Sequence, residues 1–120
     1  MDTRVIGIVL LFAAFTTCTS SGLLLFKYGW PGFQDAYASG HLLTRSAILV
    51  VVGAALYAIS FLLWLLIVSR LDLTVAYPVA IGLSLVAITA GAAFVLGEPL
   101  TIARVSGAAL ILAGIALIVR

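Results

Sequence analysis

The chemistry open to this chain is that of hydroxyls, phenols and a few cations. Within an apolar stretch from residue 5 to 26, "FTTCTSSG" sets six small polar side chains in succession, Thr16 to Ser21. On a helix Thr17 and Ser21 lie four apart, as do Cys18 and Gly22, while Thr16, Thr19 and Ser20 fall elsewhere, so the cluster wraps more than one face. A Ser or Thr hydroxyl can bond the carbonyl one turn back, which makes it inexpensive in lipid. Two readings are therefore open. The run is packing with slight bending, or Thr19 or Ser20, or both, line a polar cavity where hydroxyls donate to a substrate without carrying charge. Farther on, Tyr57 and Ser60 are three apart and Ser60 and Trp64 four, which aligns them on one face; Trp64 serves equally as an interfacial anchor. In "LTVAYPVAIG", Pro78 removes one helical hydrogen bond and crowds the carbonyl of Thr74, which predicts that the helix bends or is loosened beside Tyr77. Backbone groups freed in this way are tolerated in a bilayer only where they face protein or a wet cavity.

The missing chemistry is as informative. No acidic residue lies between Asp2 and Asp35, and Asp72 and Glu98 fall in turns. Proton-coupled export of organic cations calls for a carboxylate inside the membrane, which costs about 2.5–3.5 kcal/mol to place there. The one histidine, His41, sits in a connection, and no nucleophile–base pair, phosphate loop or paired carboxylates occur. Lone Cys18 makes neither a disulfide nor a metal site and reads as a small packing residue. No catalytic residue, metal or cofactor is expected, and the chain is not read as an enzyme.

The elements that position these residues follow from composition. Among 120 residues, 65% are hydrophobic and 8% charged, and the mean hydropathy is +1.36, far outside the soluble range. A span needs about 20 mostly apolar residues, and the runs between charges give four, at 5–26, 46–68, 73–96 and 101–119. The fold class is thus an all-α integral membrane protein, with residues 1–120 forming a single four-transmembrane-helix bundle. The first span has an Arg4 and trailing small residues, as a signal peptide does, but the apolar run continues through "LLLF", and removing it would leave an odd number of spans.

Residues 27–45, "KYGWPGFQDAYASGHLLTR", read as the only long connection, with Gly29, Pro31, Gly32 and Gly40 as breakers, Trp30, Phe33 and Tyr37 as interfacial aromatics, and room for a short surface helix. "SRLDLT" predicts a tight hairpin. "GEPLT" predicts a second, with Gly97 ending one helix and Pro99 in the first turn of the next. Because lipid tails are as apolar as leucine, helices associate through small residues; the third span carries Gly82, Ala87 and Gly91. On the last, Ala103, Gly107 and Gly114 form a stripe assigned to dimer contact, since four short helices can hardly enclose a pathway alone.

The net charge of +2 comes from single cations at helix ends, which gives no basis for nucleic-acid binding. Arg4, Arg70 and Arg120 fall on one side, and Lys27, Arg45 and Arg104 on the other. This balance predicts no orientation, so the chain inserts either way or is oriented by a partner.

The lysine in "LLLFKYG", together with "VAYPVAIG", "GEPLT" and a glycine-rich last helix, resembles the small multidrug resistance and EamA-like part of the drug/metabolite transporter superfamily over essentially the whole chain. Over 62–118 it resembles in particular the aminoarabinose-phosphoundecaprenol flippase subunits, which also carry an "AYP" and an acidic-proline turn. In the small multidrug exporters a glutamate stands eight positions before the closing lysine, and a tryptophan three after the tyrosine; here those positions hold Thr19 and Ala80. The flippase-like relatives lack that glutamate as well.

The resemblance implies an inner-membrane, multi-pass transporter, working as a homodimer, antiparallel arrangements included, or as a paired small subunit. Its substrate would be amphipathic, with a polyprenyl-phosphate-linked sugar as the leading case. Lys27, Arg45 and Arg104 are then the lipid-phosphate candidates, and Thr17, Thr19, Ser20, Lys27, Tyr57, Ser60, Trp64, Tyr77 and Pro78 the substrate-binding set. Two further readings stand beside it: a divergent exporter of small cations or metabolites without the first-helix glutamate, and a non-transporting accessory subunit of a larger membrane assembly.

Overall fold

The computed structural model describes residues 2–120 as four helices: α1 Thr3–Ala38, α2 Arg45–Val68, α3 Leu73–Val95 and α4 Ile102–Ile118. The described residues contain no strand. The first three helices are long and apolar enough to cross a membrane, and α4, with 17 residues, lies at the short end of the spanning range.

α1 differs most from the sequence expectation. It runs unbroken past Lys27 and through Pro31 to Ala38, so most of the stretch read as a connection is helix. At 1.5 Å per residue it is about 54 Å long, well beyond a hydrocarbon core of roughly 30 Å. Its far end therefore projects past the membrane beside the start of α2. The cause lies in the glycines read as breakers. Buried Gly29 and Ala36 and half-buried Gly32 face α2, and a Cβ on Gly29 would stand 2.9 Å from the carbonyl oxygen of Ser46. Pro31 is exposed, so its ring points away from this seam, and the helix loses only the bond to the carbonyl of Lys27. Gly40, at φ +75°, follows the helix end.

A seven-residue repeat joins α1 to α2. Ile8, Phe15, Gly22, Gly29 and Ala36 lie along one side of α1, and Ser46, Gly53, Ser60 and Ile67 along the facing side of α2. Seven residues make nearly two turns, so the seam stays in register along the antiparallel pair. The helices cross most closely at Gly22 and Gly53: a Cβ on Gly53 would lie 2.6 Å from both the carbonyl of Gly22 and the amide nitrogen of Phe26.

α3 packs on α1 more than on α2, although only the short 69–72 turn separates α2 from α3. Where all three meet, Phe12, Ile67, Ala76 and Ala80 form the buried core. Pro78 sits inside α3 without ending it, so the expected loosening amounts to one missing bond in a continuous helix. After α3, Gly97 at φ +67° lets the Glu98 amide return to the carbonyl of Ala92. Pro99 precedes α4 rather than opening it, because the Thr101 hydroxyl caps the helix by accepting the Arg104 N–H at 3.3 Å. α4 packs on α3 alone and contains no buried residue.

Candidate functional site

Because α2 and α3 lean on α1 rather than on each other, a groove of about 420 Å³ is left between them with α1 at its base. Buried Thr19, Ser60 and Ala80 lie at the bottom, and exposed Tyr57, Phe61, Tyr77 and Ile81 form the rim. An open rim on a membrane helix faces lipid or another protein. Phe15, Trp64 and Tyr77 build a continuous aromatic wall, with ring centroids 5.7 Å apart for Phe15 and Trp64 and 5.9 Å for Trp64 and Tyr77. No ionisable carboxylate or cation lines the groove.

The structure brings together Thr19, Tyr57, Ser60, Trp64 and Tyr77 from the sequence-derived set. It separates the others from them. Exposed Thr17 donates to the carbonyl of Ala13 at 2.8 Å and, with Thr16, lines a different cleft between α1 and α3. Ser20 is buried and Pro78 half-buried, and neither lines the groove. Phe15, Phe61 and Ser84 line it without having been singled out from the sequence. Phe15 could have been found from the seven-residue seam and Phe61 from its spacing, four after Tyr57 and three before Trp64, whereas Ser84 depends on how α2 and α3 splay.

The hydroxyls differ in a way that composition hides. Ser60 Oγ donates to the carbonyl of Tyr57 at 2.6 Å, and Thr17 is satisfied within its own helix. The buried hydroxyls of Thr16, Thr19 and Ser20 have no partner among the described residues. An orphaned buried hydroxyl costs about 1–3 kcal/mol, and a site that retains one next to a cavity retains a free donor. Thr19→Val is therefore expected to raise the midpoint of thermal unfolding in mild detergent. A lowered midpoint would mean that the hydroxyl finds a partner in the folded chain.

The cations gather at the two ends of the bundle. Lys27 Nζ pairs with Glu98 Oε1, tying α1 to the turn between α3 and α4. The hydrogen bond from Lys27, then its charge, holds the Glu98 carboxyl below the ordinary carboxylate range, and the charge of Arg104 adds to this. Arg104 Nη1 also donates to the Pro99 carbonyl at 2.9 Å. Exposed Arg45 starts α2 at the same end, where neighbouring Ser46 abuts Gly29 and Gly32. Above Lys27, Phe26, Trp30 and Phe33 stack along α1, an arrangement suited to the membrane–water boundary. The dimer-contact stripe is open: a Cβ on Gly107 or Gly114 would meet nothing within 4 Å, and Ala103 is exposed.

The probable 4-amino-4-deoxy-L-arabinose-phosphoundecaprenol flippase subunit ArnE of Pseudomonas syringae pv. syringae (strain B728a) is 34% identical over 103 residues, which cover 86% of this chain and 90% of that protein. The protein of the same name from Pseudomonas savastanoi pv. phaseolicola (strain 1448A / Race 6) is 32% identical over 108 residues, 90% of this chain and 91% of that protein. The chain belongs to the ArnE flippase-subunit family. No family model matches it, and no solved structure does. Flippase subunits are transporters rather than enzymes, and with three span-length apolar helices this ArnE-family chain is a multi-pass protein of the inner membrane.

Proposed function

We propose that the chain is one subunit of a small-multidrug-resistance-like transporter that moves a polyprenyl-phosphate-linked sugar across the inner membrane. The observation that carries this reading is the laterally open, uncharged groove between α2 and α3. Aromatic faces such as those of Trp64 and Tyr77 suit the C–H faces of a sugar ring, and the free hydroxyl of Thr19 offers it a hydrogen bond. An open rim lets the lipid chain stay in the bilayer while the headgroup passes. Lys27, with Arg104 and Arg45 at the same end, supplies cations for the phosphate. A carboxylate able to exchange a proton for a cation is missing from the groove, which disfavours the small-cation exporter.

The open stripe of Ala103, Gly107 and Gly114 is the surface we assign to a second chain, a copy of this one or a paired small subunit. The test uses the chain isolated from membranes together with whatever copurifies, reconstituted in vesicles with a fluorescent polyprenyl-phosphate sugar in one leaflet. Faster leaflet exchange than in empty vesicles is expected. Exchange no faster than in empty vesicles, with proton flux driven instead by tetraphenylphosphonium, would overturn the reading in favour of a cation exporter.

A further inference from the structure

At the end of the bundle opposite Lys27, Arg4 in the first turn of α1 and Arg70 in the turn after α2 line one cavity of about 410 Å³, with Ile8 one helical turn deeper. Neither guanidinium makes an ion pair or hydrogen bond among the described residues, and the nearby Asp2 and Asp72 carboxylates do not pair with them. Arginines serving only as membrane anchors need not meet. Arg4 comes from α1 and Arg70 from the turn between α2 and α3, and they converge on one space, where their like charges repel unless an anion or water lies between them. A planar guanidinium fork matches phosphate oxygens in bidentate fashion, and the cavity lies at the ends of two span-length apolar helices, where spans of that length meet the headgroup region.

We propose that the Arg4–Arg70 cleft binds the phosphate of an amphiphile at the membrane surface opposite Lys27. The neutral groove would then have a cationic phosphate station beyond each end, one built on Lys27 and one on Arg4 and Arg70. The pairing of stations rests on the transport reading above, whereas binding at the cleft does not.

The experiment titrates farnesyl phosphate, farnesol and inorganic phosphate into the purified full chain in dodecyl maltoside. A Lys27→Gln background removes the other station. Farnesyl phosphate is expected to bind, and the further changes Arg4→Gln and Arg70→Gln to weaken it about tenfold or more, as loss of charge-assisted hydrogen bonds would. Arg4→Lys with Arg70→Lys, which keeps the charge, is expected to restore part of the affinity and to show that the fold is intact. Inorganic phosphate binding as tightly as farnesyl phosphate would support the phosphate site and assign it to a soluble ligand. Equal binding of farnesol, or farnesyl phosphate binding unchanged by the double Gln variant, would overturn the proposal. Arginine-dependent binding by a chain that moves no lipid would retain the cleft and sink the transport reading alone.

Discussion

Gly53→Ala is expected to destabilise the fold by about 1–3 kcal/mol, the range for overpacking a tight interior contact. The added methyl would stand 2.6 Å from the backbone of both Gly22 and Phe26. Neither obstacle is the movable end of a side chain, so relief requires α1 and α2 to separate along the seam that holds most of the bundle. Gly22→Ala meets the same crossing from the other side, 2.7 Å from the Gly53 carbonyl and 2.8 Å from the Tyr57 amide nitrogen, and should behave alike. Gly114→Ala provides the contrast. Nothing lies within 4 Å of its added methyl, so the isolated protomer should keep its stability. Thermal unfolding in mild detergent distinguishes them, and an unchanged midpoint for both Gly53→Ala and Gly22→Ala would mean that the helices do not cross there.

The same crossing shows how far the sequence could be read. Apolar runs between charges located all four helices, and the ends of α2, α3 and α4 fell within a residue or so of expectation, because hydropathy and turn residues are local signals. The end of α1 was not legible in that way. Gly29, Pro31 and Gly32 carry the composition of a connection, and only the register of the two glycines with Ser46 and Val50 of α2 makes a packing seam of them, with Pro31 on the exposed side. A seven-residue repeat of small residues was present in the sequence, but its meaning depends on a facing repeat in another helix. The groove divides similarly. Tyr57, Ser60, Phe61 and Trp64 share a face by spacing alone, whereas Ser84 and Ile88 of α3 join them only because α2 and α3 diverge. The run of hydroxyls announced polarity without saying which members would be satisfied. That depends on which neighbour each faces, as the contrast between bonded Thr17 and orphaned Thr19 shows.

The pairing of Lys27 with Glu98, residues 71 apart in the chain, was likewise beyond any local pattern, and it sharpens the second large prediction. Lys27→Ala is expected to reduce lipid exchange to the rate of empty vesicles while leaving the fold intact. The fold should survive because the pair is largely in solvent, with the two side chains 62% and 37% exposed, and ion pairs so placed contribute little to stability. Transport should not survive, for two reasons that act together. The substitution deletes the cation that would meet a phosphate, and it leaves the Glu98 carboxylate to repel that phosphate, with only Arg104 beside it. The two effects separate in the double variant Lys27→Ala with Glu98→Gln. Partial recovery there would assign part of the loss to the bared carboxylate, and Lys27→Arg should retain more exchange than either. If the phosphate displaces Glu98 as it arrives, Glu98→Gln alone should bind the lipid more tightly than the unaltered chain, since the competing anion is gone. Normal exchange by a well-folded Lys27→Ala protein would remove Lys27 from the pathway and leave the ion pair a tether between α1 and the turn before α4.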